Sequence, residues 1–513
     1  METLKKIAKI VNRYSQKNLD ILLVESKSKT KIDILYEALH SDQIDSEEEG
    51  MELIYGHNHN KNSQGAFTKL KYRLRDKLID SIFLIDFSKT KRTDYEKAKI
   101  RVAKAWSASR IFEALKLSSL SRKVMEPLLI TCNKYELTRF KMLILDELIA
   151  KYTLETYDKK KLEYYKQKWE QALYEYTLSQ KIYNLYLEIG RHILSNERRD
   201  YTKEINDLEK RLDSIYDDVL DINLVLSNLN AFESKYILLE YKDERQAQLK
   251  ICDDALAAFY KKRFDLLPLF RFHQKRGVTL VRLERFSEGL SEFKRCIDML
   301  TVFGNLRWHL TNSYILSTHL FEKDYLNVYK TLSDVIYHKD FKKLASEYKE
   351  GWYLKEALVQ FMVLIGLINP DDIDVKPLRK FRLSRFVNEV HVMTKDKTGS
   401  NVTLYILQLL FLITSHNTES SKKKLAAVRQ YSYRHMQHPD FNRTKLFIKM
   451  LSLYIKYDYD VGTVEQKSKK LYEELLASKP QIKERMMATA FIPYDVIWQG
   501  IIHHERGQSL ATN

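Results

Sequence analysis

Residues 272–300 read FHQKRGVTLVRLERFSEGLSEFKRCIDML and carry the clearest packing pattern in the chain. Phe286, Gly289, Phe293 and Cys296 follow one another at steps of three and four, which places them on one face of a helix. A small residue at Gly289 lets a paired helix approach closely, while the two rings fill the groove on either side of it. The pattern therefore predicts a pair of closely packed helices.

The composition of the whole chain also favours helices. Glycine contributes 13 of 513 residues and proline 7, together about 4% where about 12% is usual. This depletion argues against a turn-rich all-β fold, and a hydrophobic content of 44% argues against wholesale disorder. Helical patterns follow one another from about residue 96 to the end, including a long stretch at 154–189. The apolar stretch 402–415 is shorter than the roughly 20 residues that span a bilayer, so it predicts a buried helix.

The 272–300 segment resembles a tetratricopeptide repeat, a helix-turn-helix unit of about 34 residues. Gly277 and Leu280 match the small and large packing residues of the first helix, whereas His273 stands where the family carries tryptophan. A second, weaker unit extends to residue 338. Its second-helix residues are Tyr325, Val328, Leu332 and Val335. The resemblance implies an all-α solenoid of helical pairs whose concave surface binds a peptide, a helix or another protein, with no chemistry of its own.

Three regions are predicted: a basic helical head at 1–95, a helical-repeat array at 96–368 and a C-terminal helical array at 369–513. The head contains three candidate helices, at 29–40, 46–55 and 66–85, the second with capping-box spacing between Ser46 and Glu49. In the third helix an apolar stripe is formed by Phe67, Leu70, Leu74, Leu78 and Ile82. This arrangement predicts a small three-helix head that is helix-turn-helix-like.

The net charge of +17 favours an anionic partner, and nearly half of it lies between residues 69 and 110. That segment has thirteen Lys or Arg and five Asp or Glu. Basic residues flank the apolar stripe of the third head helix, where they could contact nucleic-acid phosphates or simply border a core-facing helix. These residues are Lys69, Lys71, Arg73, Arg75 and Lys77.

The sequence contains no phosphate-binding loop, no dinucleotide-binding fingerprint, no zinc-protease histidine pair and no nucleophile elbow. His57 with His59, and His435 with His438, have spacings that metal ligands can use, but we favour a polar turn for the first pair and a helix C-terminus for the second. We therefore expect no metal, no cofactor and no enzymatic activity. The cysteines, Cys132, Cys252 and Cys296, are far apart, which predicts reduced thiols packed as small hydrophobes.

Two hypotheses follow for function. The first is a non-enzymatic scaffold or adaptor that binds a protein or peptide. Its candidate contact residues are Tyr164, Tyr165, Trp169 and Arg271, with the basic side chains of Arg379, Lys380 and Arg382. The alternative is a regulator whose basic head binds DNA or RNA, with the helical array as sensor or oligomerisation module. The start of the sequence lacks the pattern of a signal peptide, so we expect a cytoplasmic protein without membrane contact. The identity of the partner and the oligomeric state stay open.

Overall fold

The described part of the chain is all-α. The computed structural model describes residues 1–15, 30–57, 61–90, 92–194, 202–262, 266–300, 306–390, 400–436, 441–478 and 492–507. These ranges form 23 α-helices and three short 3₁₀ helices, and they contain no strand. The all-α prediction is confirmed.

The α-helices vary in length from a single long helix of 36 residues to helices of two turns. They are α1 (Glu2–Ser15), α2 (Lys31–His40), α3 (Glu47–Tyr55), α4 (Lys61–Phe83), α5 (Asp94–Ala114), α6 (Ser118–Lys134), α7 (Thr138–Leu154), α8 (Lys159–Leu194), α9 (Thr202–Asp213), α10 (Tyr216–Asp221), α11 (Val225–Tyr241), α12 (Arg245–Tyr260), α13 (Leu267–Arg282), α14 (Phe286–Asp298), α15 (Leu306–Glu322), α16 (Tyr325–Ile336), α17 (Ser346–Leu364), α18 (Leu383–Glu389), α19 (Ser400–Thr414), α20 (Thr418–His435), α21 (Asn442–Lys456), α22 (Val461–Ala477) and α23 (Tyr494–Glu505).

The chain divides into two compact units, Met1–Thr177 and Leu178–Asn513. The division falls inside α8, where the sequence analysis places no boundary. The boundaries predicted at 95/96 and 368/369 stay predictions. One hydrophobic cluster of the second unit includes residues on both sides of 368, from Trp308 to Ile502.

The head of the first unit contains four helices instead of the predicted three. The additional helix is α1, whose Leu4, Ala8 and Val11 are buried against α2 and α4. The apolar stripe of α4 is buried as predicted, apart from the half-buried Ile82. The predicted capping box is also present, because Ser46 accepts a hydrogen bond from the Glu49 N–H and the Glu49 side chain accepts from Ser46. Local hydrogen bonding therefore fixes where α3 begins.

Helices α13 and α14 form the close pair that the sequence predicts. A Cβ atom placed on Gly277 would come within 2.6 Å of Phe293 Cε1, and one placed on Gly289 would come within 2.7 Å of Val281 Cγ2. Neither position has room for a side chain, so the two glycines set the distance between the helices. Phe293 itself is fully buried and lies beside Tyr314 of α15, with ring centroids 5.6 Å apart.

Successive helices of the second unit pack on one another, α11 on α12, α12 on α13, α13 on α14 and α14 on α15. Further along the chain, α19 buries seven apolar side chains, which confirms the buried helix predicted at 402–415. None of the described helices has the length and apolar content that crossing a membrane requires.

One type of turn closes many of these helices. In the turn after α5, Lys116 has a left-handed backbone (φ 59°) and the Leu117 N–H donates to the Phe112 carbonyl at 2.8 Å. The same arrangement follows α13, where Glu284 (φ 60°) is left-handed and the Arg285 N–H bonds to the Leu280 carbonyl at 2.9 Å. This is a Schellman motif, which satisfies carbonyls that the helix end leaves free. Such turns reverse the chain without glycine at the left-handed position.

Proline and glycine disfavour helix interiors, so the sequence predicts breaks at Pro127 and Gly190, and both of these predictions are wrong. Pro127 lies inside α6 and Gly190 lies inside α8. Proline removes one backbone donor and glycine weakens a helix, yet packing of the apolar face can maintain the helix through either residue. Pro268, in contrast, occupies the first turn of α13, where proline is readily tolerated.

Candidate interaction surfaces

The basic side chains of α4 lie at its surface, but they are not equivalent. Lys69, Arg73 and Arg75 are exposed, whereas Lys71 and Lys77 are half-buried. Lys71 forms an ion pair with Glu47 at the start of α3, and this hydrogen bond lowers the pKa of the Glu47 carboxyl. Two of these five basic residues therefore form ion pairs within the head: Lys71 with Glu47, and Arg75 with its neighbour Asp76.

Arg75 lies beside its neighbours on α4. Its Nη2 atom is 3.1 Å from Asp76 Oδ1, and its guanidinium lies 4.9 Å from the ring centroid of Tyr72. Among the described residues, no ion pair involves Lys69, Arg73 or Lys77. Of the five predicted residues, these three could therefore contact an anion without first breaking an ion pair.

The aromatic residues at the start of α8 divide between surface and core. Tyr164 is 54% exposed, whereas Tyr165 is only 8% exposed and packs with Tyr152 of α7 at a ring-centroid distance of 5.5 Å. The prediction that Tyr165 presents its ring to a partner is therefore wrong. Trp169 is half-buried against the same cluster as Tyr165. A contact role remains open to Tyr164 and to the exposed part of Trp169.

Tyr164 belongs to a continuous exposed row on α8, which we call the α8 stripe. Its members, at steps of four and three, are Lys160, Tyr164, Gln167, Gln171 and Tyr174. Tyr174 is 54% exposed, as Tyr164 is. The buried residues of this part of α8, among them Leu162 and Ala172, lie on a different face. This half of the helix thus packs through one face and exposes another.

Two of the three arginines predicted as contact residues, Arg271 and Arg379, are engaged within the protein. Arg271 donates to the buried Glu233 of α11 at 2.8 Å and is 40% exposed. Arg379 donates to both carboxylate oxygens of Glu356, at 2.9 Å each, and to both of Glu389, at 2.8 and 2.6 Å. The hydrogen bonds from Arg379 to Glu356 raise the pKa of Arg379 beyond its already high value.

The double ion pair argues against the predicted contact role of Arg379. With two carboxylates on its guanidinium, Arg379 holds α17 and α18 together and has little capacity left for an acidic partner. Lys380 and Arg382 are exposed, and no ion pair of the described residues involves either of them. They keep their place as candidate contacts.

Only one histidine of each pair singled out in the sequence lies in the described part of the chain. His57 pairs with Glu52, and the His435 ring contacts that of Tyr431 at 4.7 Å between centroids. His59 and His438 lie outside the described residues. The three cysteines are buried free thiols, and burial raises the pKa of Cys132 to about 12.

A polar network that was not predicted from the sequence joins three helices, with His273 and Glu292 buried at its centre. Tyr260 Oη of α12 is 2.7 Å from His273 Nε2, and His273 Nδ1 is 2.5 Å from Glu292 Oε2 of α14. Arg276 Nη1 donates to the other Glu292 oxygen at 2.9 Å. Burial alone would raise the pKa of Glu292, but His273 and Arg276 outweigh it and hold that pKa below its usual value. The signal in the sequence was His273 at the position where the repeat family carries tryptophan.

A second missed group lies at the turn between α15 and α16. His319, Glu322 and Asp324 place one imidazole nitrogen and two carboxylate oxygens within 4.8 Å of one another. The group depends on the turn conformation at Lys323 (φ 63°), which brings the end of α15 and the beginning of α16 together.

Compared with family models, with characterised proteins and with solved structures, the chain shows no significant match. Its function is therefore inferred from its own residues.

Proposed function

We propose that this chain is a non-enzymatic helical scaffold that binds a protein or peptide partner, and that the α8 stripe is its principal contact surface. The observation that carries the proposal is the exposure of Tyr164 and Tyr174 on one helix face. Tyrosine offers a large apolar ring and a polar hydroxyl with few rotatable bonds, and it is enriched among the residues that dominate binding energies.

The stripe suits an extended or helical polypeptide. Its residues repeat at helical spacing over about 14 residues, or roughly 20 Å, which is the length of a short recognition helix. Five lysines and three glutamates lie between residues 159 and 177, and one of the glutamates, Glu175, is paired with Lys141 at 3.3 Å. The surplus of lysines favours a partner with apolar anchors and acidic flanks.

The resemblance of residues 272–338 to tetratricopeptide repeats agrees with this proposal, since such repeats bind polypeptides. We further propose a cytoplasmic location, which suits the buried free thiols of Cys132, Cys252 and Cys296.

The test uses the full chain as bait and quantifies captured proteins by mass spectrometry. The variant Tyr164→Ala with Tyr174→Ala removes both rings of the stripe. Its matched control is Tyr241→Ala with Tyr348→Ala, which removes two rings of similar exposure from the second unit. We expect at least one partner to be retained by the control and to fall about tenfold or more with the stripe variant, the decrease expected for removing hot-spot residues. Identical partner sets for all three proteins would contradict the proposal.

Nucleic-acid binding by the head is the second candidate, and the exposure of Lys69 and Arg73 without an ion pair among the described residues favours it. The test measures binding of the full chain to duplex DNA and to RNA over a range of salt concentrations. The triple variant Lys69→Ala, Arg73→Ala and Lys77→Ala should reduce the salt slope by about one for each phosphate that the protein no longer neutralises.

A matched charge control removes three exposed lysines of α22, namely Lys467, Lys469 and Lys470. If affinity falls as much in the α22 variant as in the α4 variant, binding reflects net charge and not the head. No binding at low salt would exclude this candidate.

A further inference from the structure

The end of α15 and the beginning of α16 bring together three metal-ligating side chains. His319 Nδ1 is 3.4 Å from Asp324 Oδ2 and 4.0 Å from Glu322 Oε2. We propose that His319, Glu322 and Asp324 bind one divalent transition-metal ion, which would tie the two helices together across their turn. This inference is independent of the proposed scaffold function.

The buried nitrogen of His319 is the observation that points to a ligand. The His319 side chain is only 12% exposed, and its Nδ1 atom is shielded from solvent and has no hydrogen-bond partner. Asp324 Oδ2 is near enough in distance, but the contact does not meet the geometry of a hydrogen bond. A buried nitrogen without a hydrogen-bond partner is unfavourable, and a metal ion between it and the carboxylates would remove that penalty.

The chemistry of the three side chains suits a divalent cation. An imidazole nitrogen binds metals in its neutral form. The two carboxylates then give the site a net negative charge that a divalent cation would neutralise.

The separation of the ligand atoms matches a small coordination sphere. Around Zn²⁺, ligands at 2.0–2.1 Å in tetrahedral arrangement stand roughly 3.3 Å apart. The His319–Asp324 pair has this separation already, whereas Glu322 Oε2 is 4.0 Å from His319 Nδ1 and belongs to a side chain that is 38% exposed. One imidazole with two carboxylates favours a first-row transition metal over Ca²⁺ or Mg²⁺, which prefer oxygen ligands alone.

The backbone holds two of the ligands in place. The Asp324 N–H donates to the His319 carbonyl at 2.9 Å, which closes the Schellman turn at Lys323. Asp324 also caps α16 by accepting from the Asn327 N–H at 3.2 Å, and its other oxygen accepts from Asn327 Nδ2 at 2.6 Å. A carboxylate oxygen can accept more than one bond, so these contacts orient Asp324 and leave it able to bind a metal.

The test is titration of the metal-free full chain with Zn²⁺ by calorimetry and with Co²⁺ by visible absorption. We expect the wild-type chain to bind one more ion than His319→Ala and to show a Co²⁺ absorption band that this variant lacks. Asp324→Asn is the sharper variant, because asparagine caps a helix as well as aspartate does but removes the anionic ligand. It should fold normally and also fail to bind the ion.

The matched control is His416→Ala, since His416 Nε2 lies 3.2 Å from Glu505 Oε2, a histidine–carboxylate pair outside the site. We expect His416→Ala to keep the wild-type stoichiometry. The proposal is overturned if the wild type, His319→Ala and Asp324→Asn bind Zn²⁺ with the same stoichiometry and affinity. Circular dichroism of each variant distinguishes loss of metal binding from loss of folding. If His319→Ala does not fold, the Zn²⁺ stoichiometry of Asp324→Asn decides whether the proposal holds.

Discussion

The helix pair α13–α14 and the first half of α8 use similar residues in opposite ways. Twelve of the 16 residues of α13 are buried, because α12, α14 and α15 all pack against it. The first half of α8 buries a single row and exposes Tyr164 and Tyr174 on another face. A helix surrounded by neighbours buries most of its side chains, which stabilises the fold. A helix packed on one face leaves the side chains of its other face exposed, where a partner can bind them.

The largest expected difference between the two regions comes from removing one ring in each. Phe293→Ala deletes a fully buried ring and should lower the free energy of unfolding by about 3–5 kcal/mol. Tyr164→Ala removes an exposed ring and should change it by less than about 0.5 kcal/mol. Urea unfolding followed by circular dichroism measures both, and equal decreases would show that α8 is packed on both faces.

The next largest effect on the free energy of unfolding is expected from replacing a buried carboxylate of the α13–α14 pair. Glu292 accepts hydrogen bonds from His273 and Arg276, so Glu292→Gln should cost about 1–3 kcal/mol at neutral pH. Because the folded-state pKa of Glu292 is lowered, its contribution is complete above the unfolded pKa of about 4.5 and disappears as the pH falls through the folded value. The gap between wild type and variant should therefore narrow in acid.

The control for that experiment is Glu170→Gln, on the exposed surface of α8. Its unfolding midpoint should stay close to that of the wild type at every pH. A gap between wild type and Glu292→Gln that widens in acid would contradict the assigned direction of the Glu292 shift.

Glycine substitutions probe how closely the helices approach. Gly277→Ala places a methyl group against the Phe293 ring, and overpacking of this kind costs about 1–3 kcal/mol. Gly190→Ala, inside α8, meets no atom within 4 Å and should gain about 0.5–1 kcal/mol, because alanine favours the helix. Thermal unfolding should move in opposite directions, and a stabilising Gly277→Ala would mean that α13 and α14 can separate without cost.

The sequence predicts the α13–α14 pair well because the relevant spacing lies within single helices. The stripe of α4 and the buried helix α19 are predicted for the same reason. Helix α1 is missed although Leu4, Ala8 and Val11 repeat at helical steps, so that signal was present in the sequence.

The contact surfaces are harder to predict, since they depend on residues distant in the chain. Tyr164 and Tyr165 are neighbours that differ by about 100° around the helix, and packing against a cluster that includes Tyr152 of α7 decides which one is buried. Arg379 resembles any surface arginine until folding places Glu356, 23 residues away, against it. His319 and Asp324 meet only because Lys323 adopts a left-handed backbone. Tertiary packing and turn conformation, not composition, create these groups.

The smallest expected effect concerns a type of turn that occurs in both units of the chain. Lys116, in the turn between α5 and α6, and Glu284, between α13 and α14, are left-handed at nearly the same φ. For a residue with a Cβ atom, the left-handed conformation costs about 1–2 kcal/mol. Glycine avoids this cost, but its greater conformational freedom in the unfolded chain lowers the stability of the fold by about 0.4–1 kcal/mol. Lys116→Gly should therefore stabilise the protein by up to about 1 kcal/mol.

Gly366 shows that glycine fits this kind of turn, because it is left-handed (φ 73°) after α17 and the Leu367 N–H bonds to the Met362 carbonyl at 2.9 Å. The control, Lys123→Gly, puts glycine at an exposed position inside α6 and should destabilise by about 0.5–1 kcal/mol. Opposite shifts in the unfolding midpoint would establish that backbone conformation sets the effect of glycine here. If Lys116→Gly instead destabilises as much as Lys123→Gly, the lysine side chain makes interactions that outweigh the backbone cost, and the turn after α5 depends on its side chain.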